Sequence, residues 1–376
     1  MKKSFILPFI SFVYASILFA ATSTSSVTTG ATPVQQEAAE DSSPEFGGTY
    51  VLFKGEHSTE YTTILGKIYY RLNSTDNSDD SAQKIDIKRA AVKIRPTGTP
   101  VFEAAIGKRY SYYLPGGYFP LSEIYTGANR WGETGAGIKF SAKGLSAGLA
   151  LPVTESYGKF KEGWGLNGAL SYDFKEITSF PLTLGTTLLF SSAGDGEPDD
   201  FSDDDLSGAF SALYSYKNND SILKAASLFA SYSFNSSPYV ASGVYKNISN
   251  YKNVSKADFC SAQINLKLSK MTFNFEGEFG KSKENDYLPL YAGTQILFPL
   301  NDFISLRPQF FYYAALNSKD SDLSRSAYTL YPRLMFYKGN HTVSAGAQFT
   351  NFQNLQDEWH WGWSVPLYWE YKFSTK

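Results

Sequence analysis

The C-terminal stretch WGWSVPLYWEYKF, Trp361 to Phe373, decides the fold. Trp361, Trp363, Val365, Leu367, Trp369, Tyr371 and Phe373 share one face of an extended strand. Ser364, Tyr368, Glu370 and Lys372 share the other, because side chains alternate with period two along a strand. A helix would scatter both sets around its circumference.

The same alternation recurs upstream. Ile304, Leu306, Pro308, Phe310 and Tyr312 oppose Ser305, Arg307, Gln309 and Tyr313, and Tyr328, Leu330, Pro332, Leu334 and Phe336 oppose Thr329, Arg333 and Tyr337. Met271, Phe273, Phe275 and Phe279 oppose Thr272, Asn274, Glu276 and Glu278. Cys260, Ala262, Ile264, Leu266 and Leu268 oppose Ser261, Gln263, Asn265 and Lys267. Thr62, Ile64, Ile68, Tyr70 and Leu72 oppose Thr63, Lys67 and Arg71. Soluble sandwiches also alternate, but with shorter strands. Strands of roughly ten residues with one unbroken apolar face ending in aromatic residues fit a tilted crossing of a bilayer, with aromatic girdles at both interfaces. Hydrocarbon offers no hydrogen bonds, so such a sheet must close on itself.

Composition agrees. Aromatic residues make up 16% of the 376-residue chain, yet its mean hydropathy is −0.27. Tight turns (Ser141 to Gly144, Lys217 to Asp220, Tyr337 to Asn340) and longer polar connections (Asn73 to Ser81, Thr154 to Gly163, Asn317 to Arg325) alternate. The alternation holds up to Lys217 and again from Pro238, with the two halves out of phase. One strand between them is therefore misassigned, and an even total of 16 to 18 strands is the expectation for this all-β, closed antiparallel transmembrane barrel.

At the N-terminus, Lys2 and Lys3 precede the apolar run Phe5 to Ala20, so residues 1–21 read as a cleaved export signal. Residues 22–47, rich in Ser, Thr, Ala and Glu, read as a disordered periplasmic linker, and residues 48–376 as the barrel. The single cysteine, Cys260, leaves no disulfide to support an exported fold.

The chain resembles bacterial outer-membrane β-barrel proteins of the porin type. The resemblance is one of pattern over residues 49 to 376. It is sharpened by Leu367, Trp369, Tyr371 and Phe373, which look like the C-terminal signal that the barrel-assembly machinery reads; Ser374, Thr375 and Lys376 trail beyond it as a departure. It implies a bacterial outer-membrane location, with the lipid bilayer, the assembly machinery and small solutes as partners, and it is compatible with a homo-oligomer.

The polar faces carry both signs: Lys67, Arg71, Lys93, Lys267, Arg307 and Arg333 against Glu103, Glu276, Glu278 and Glu370. Opposed charges across a wet lumen would orient small solutes and set ion selectivity; alternatively they pair and fill a closed interior. The stretch YYLPGGYFPLSEIYTGANRW, Tyr112 to Trp131, is the candidate constriction loop, with Tyr112, Tyr118, Phe119, Tyr125 and Trp131 as its aromatic members. It either folds into the mouth or prolongs two strands beyond the bilayer. The acidic stretch AGDGEPDDFSDDDLSG, Ala193 to Gly208, is a connection between strands. It reads as a solvated loop, with Asp195, Glu197, Asp199 and Asp200 as a loose Ca²⁺ alternative and no other metal or cofactor expected.

The three histidines stand in no HExxH arrangement and there is no GxSxG, so no enzyme is expected. A net charge of −2 disfavours nucleic acid. The expected function is a channel passing small hydrophilic solutes or ions by diffusion through a polar lumen. The alternatives are a closed barrel acting as an adhesin or structural protein, and a hydrophobic-solute transporter.

Overall fold

In a computed structural model, the described residues are 22–31, 35–36, 49–72, 83–122, 124–132, 134–152, 165–191, 206–238, 256–283, 286–320, 324–353 and 359–375. Eighteen antiparallel strands close into one barrel. In chain order they begin with β1 (Thr22–Ala31, resumed at Gln35–Gln36), β2 (Thr49–Ser58), β3 (Thr62–Leu72), β4 (Gln83–Ile94) and β5 (Phe102–Lys108). There follow β6 (Gly135–Ala142), β7 (Leu145–Pro152), β8 (Gly165–Asp173), β9 (Leu182–Ser191), β10 (Leu206–Lys217) and β11 (Leu223–Ser236). The circuit continues with β12 (Ala257–Leu268), β13 (Thr272–Ser282), β14 (Tyr287–Pro299) and β15 (Ile304–Leu306 with Gln309–Asn317). It ends with β16 (Arg325–Tyr331 with Arg333–Lys338), β17 (His341–Gly346 with Gln348–Gln353) and β18 (Trp359–Ser364 with Leu367–Thr375).

The wall inverts the burial pattern of a water-soluble protein. Ile106 is 60% exposed and Phe210 58%, and Leu151, Phe279, Leu330 and Phe349 share their outward face. Ser233, Ser344 and Glu276, at 0%, and Thr187, Ser261, Gln309 and Thr329 are buried on the inward face. Large apolar side chains stay exposed over a whole surface only where hydrocarbon is the solvent. An open sheet edge there would strand a row of backbone groups at several kcal/mol each. The register from Ser23 opposite Thr375 to Ala31 opposite Leu367 removes that edge.

Closure therefore falls to a segment that composition assigns to a disordered linker. Thr22–Ala31 pairs with β18 on one side and β2 on the other, and Val27 sits in register between Tyr371 and Phe53. The compositional argument weighs what a segment's own side chains can bury; here the backbone ladders and the neighbours' aromatic residues hold the strand. The expected signal at residues 1–21 and most of the remaining linker lie outside the described residues.

The strand phase also resolves. The β10–β11 connection is short, and the next strand begins only at Ala257, so the out-of-phase stretch after Pro238 belongs to one long connection whose residues 239–255 lie outside the described residues. Short turns gather at one end, such as 59–61, 143–144, 269–271 and 339–340, together with Thr22 and Thr375. By the usual sidedness of such barrels this is the periplasmic end. The breaks in β15, β16 and β18 fall at Pro308, Pro332 and Pro366, which have no N–H to give the ladder.

Candidate functional site in the lumen

Between β5 and β6 the chain turns back into the barrel. Arg109 (φ 55°) and Ser111 (φ 58°) take left-handed conformations at the start of this connection, and Gly127 (φ 51°) does so at its far bend. A Cβ at Gly127 would lie 2.2 Å from Ser233 Oγ on the opposite wall, so position and backbone conformation both require glycine. Alternate residues Tyr110, Tyr112 and Leu114, then Phe119, Ala128 and Trp131, are buried against the inner wall.

The wall that receives them is lined with small residues. Gly137, Gly148, Ala150, Ala169, Gly185 and Ala209 occupy inward positions on β6 to β10, with Gly137 opposite Ala150, Gly148 opposite Ala169, Gly185 between Ser171 and Ser211, and Thr187 between Ala169 and Ala209. A Cβ on Gly148 would stand 2.0 Å from the Trp131 ring, and one on Gly137 2.8 Å from Tyr110 Oη. Tyr112 stacks on Trp131 with ring centroids 4.6 Å apart, and Phe119 meets Phe229 edge-on at 6.4 Å.

Polar anchors fix the loop at both ends. Tyr112 Oη donates to Glu103 at 2.6 Å, and that carboxylate also receives Lys93 (3.3 Å) and Arg95 (2.9 Å), with Lys93 Nζ 4.4 Å from the Tyr112 ring centroid. Arg89 donates to the carbonyls of Arg109 (2.8 Å) and Tyr110 (3.2 Å). Further on, Asn167 donates to Trp131 O, Thr187 to Ala128 O and Asn129 to Ser231. At the far end Glu276 accepts Leu121 N–H (3.2 Å), Ser122 N–H (2.8 Å) and the Tyr291 hydroxyl (2.6 Å), while Glu278 accepts the Thr126 hydroxyl (2.6 Å). Burial pushes the Tyr110 hydroxyl up to about 12, and burial with the Glu103 carboxylate raises that of Tyr112 further.

The expected charges thus separate into two groups. Glu103, Glu276 and Glu278 are buried under the loop as its anchors and do not form an open ladder across water. Lys93 belongs to the Glu103 cluster. Lys67 lies on the inner face between Lys54 and Arg89. Arg307 donates to Gln295 Oε1, and Arg333 stands 5.0 Å from the Tyr331 ring. Glu370 pairs with Lys372 (3.1 Å), and Lys267 is exposed towards the short-turn end of β12. Arg71 and Tyr125 lie in strands, their side chains outside the described residues, and Tyr118 accepts Gln263 through its carbonyl. Asp195, Glu197, Asp199 and Asp200 lie outside the described residues. Leu367, Trp369, Tyr371 and Phe373 share the register face of Val27, Val51 and Phe53 on the exterior.

Sequence reasoning missed Tyr110, Asn129 and Lys139. The last lines, with Tyr113, Trp131, Ser146 and Ser171, a recess of about 380 Å³ beside the loop. The run of inward-phase glycines and alanines was the signal for the docked loop. Lys54, Lys139 and Arg333 have no carboxylate partner among the described residues.

A closed eighteen-stranded antiparallel barrel with an apolar exterior, a polar interior and a long connection packed inside has the fold of outer-membrane β-barrels of the porin type. Solved structures with a similar fold include OprD of Pseudomonas aeruginosa (TM-score 0.54, 10% identity, covering 95% of this chain and 96% of that one). OpdK of the same organism, crystallised with vanillate, gives TM-score 0.55 and 9% identity over 94% of this chain and 99% of that one. Wzi, an Escherichia coli outer-membrane protein involved in group 1 capsule assembly and described as a carbohydrate-binding β-barrel, gives 0.53 and 10% over 96% and 87%. At these identities the likeness is one of fold. No family model and no curated protein matches the sequence.

Proposed function

We propose that this protein is a diffusion channel of the outer membrane that passes small hydrophilic solutes, with a preference for anions. The carrying observation is the distribution of charge around the loop. The carboxylates at its level are engaged in holding it, Glu103 by Lys93 and Arg95 and Glu276 and Glu278 by loop donors, whereas Lys54, Lys139 and Arg333 have no ion-pair partner among the described residues. Fixed cations on a wet, low-dielectric wall raise the local concentration of anions. The loop docks from β4 round to β14, and the proposed passage runs beside it, bounded by β15 to β18 and β1 to β3 and by the recess that Lys139 lines. The structure of OpdK with vanillate supports a small-solute role for this fold.

Purified protein in a planar bilayer should give stable conductance steps and, in a KCl gradient, a reversal potential on the chloride side. Absence of steps would remove the channel; a reversal potential on the potassium side would remove the anion preference alone. A second reading, a closed barrel that binds carbohydrate or a surface partner, is favoured by the likeness to Wzi, and it would give no conductance.

A further inference from the structure

The short-turn rim carries exposed apolar side chains where a barrel ending in water would carry polar ones. In the β8–β9 turn Ile177 is 68% exposed and Phe180 stands beside Tyr214 with ring centroids 5.8 Å apart. In the β10–β11 turn Ile222 is 78% exposed, and in the β14–β15 turn Phe303 is 64% exposed with Leu300 next to it. The β8–β9 and β10–β11 turns are neighbours on the rim and the β14–β15 turn follows beyond the β12–β13 turn, so they lie along one arc, continuous with the outward apolar face above it. The same arc bears Lys143, Lys175, Lys224 and Lys270. Among the described residues none of the four makes an ion pair with the arc's own acids, Asp173, Glu176, Asp220 and Asp302; Asp173 accepts the Lys175 backbone N–H, and Lys224 reaches the Asn219 carbonyl. In sequence the connection 192–205 is by contrast strongly acidic, with Asp195, Glu197, Asp199, Asp200, Asp203, Asp204 and Asp205.

An isoleucine fully in water gains nothing, whereas one at the acyl boundary is buried, and a lysine there meets phosphate with its stem on the apolar surface. We propose that this arc is an interfacial anchor whose apolar turns dip into the periplasmic leaflet while Lys143, Lys175, Lys224 and Lys270 bind its anionic phospholipid headgroups. Continuity with the lipid-facing wall and the unneutralised ammonium groups select this occupant over an acidic periplasmic protein.

The test uses the whole barrel reconstituted in vesicles of phosphatidylcholine mixed with phosphatidylglycerol, with the retained lipid identified by native mass spectrometry. Wild type should retain phosphatidylglycerol in excess over its share, and each of Lys175→Gln and Lys270→Gln should reduce that excess by roughly fivefold. Equal retention of both lipids by wild type, or an excess unchanged in both variants, would overturn the proposal. An Ile222→Cys, Cys260→Ser variant carrying an environment-sensitive fluorophore gives an independent readout. Its emission should be quenched by brominated acyl chains, and quenching only by aqueous iodide would overturn the anchor even if the channel conducts. Heat-modifiable migration on electrophoresis shows that each variant is folded.

Discussion

Glu276 holds two backbone amides of the loop and a tyrosine hydroxyl, with no cation partner among the described residues. Stranding buried donors costs about 1–3 kcal/mol each, so Glu276→Leu should lower stability to urea by about 2–4 kcal/mol and make the open-channel current noisier, whereas Glu276→Gln, which keeps an acceptor oxygen, should lose less. Unchanged stability in the leucine variant would mean that the loop is held elsewhere. Gly148 tests the other half of the fit. Gly148→Val drives a side chain into the Trp131 ring, at an overpacking cost of about 1–3 kcal/mol, and should shift the loop towards the passage and lower the conductance. The Tyr110 hydroxyl, with no hydrogen-bond partner, is pushed up to about 12 by burial. Its raised value favours the protonated folded form, so this contribution is complete below the ordinary phenol value of about 10 and lost as pH rises through about 12. Tyrosinate absorbance should show late-titrating groups that become ordinary on unfolding, and Tyr110→Phe should remove one of them.

At the scale of the element, the strands were legible because period-two alternation survives any neighbour: Phe273, Phe275 and Phe279 fall on the outward face and Glu276 and Glu278 on the inward one, as the pattern requires. Two elements were not legible for opposite reasons. β1 has the composition of a linker, and only its two partner strands make it a strand. The docked loop was undecided because its receptor is an absence of side chains, Gly137, Gly148 and Gly185, which a search for apolar faces passes over. The charge pattern misled in the same way: Glu103 and Glu276 share a phase with lumen residues, and a strand pattern has no information on what covers them. Val27→Pro should remove a ladder donor from β1 and weaken both seams; the measurement is the fraction that stays compact on unheated electrophoresis, which should fall well below wild type. An unchanged fraction would mean that β2 and β18 do not depend on β1.

For the molecule as a whole, the central claim is an inversion: lipid outside, water inside, with the loop seated on one wall of a conducting lumen. The native chain offers a built-in control, because its only cysteine, Cys260, is exposed on the outward face next to inward Ser261. Lys139 lines the recess beside the loop. The direct measurement is channel current before and after a charged, membrane-impermeant methanethiosulfonate reagent, on wild type and on Lys139→Cys. The account predicts no change in wild type and an abrupt fall in current for Lys139→Cys; a wild-type current that falls, with Lys139→Cys indifferent to the reagent, would contradict it.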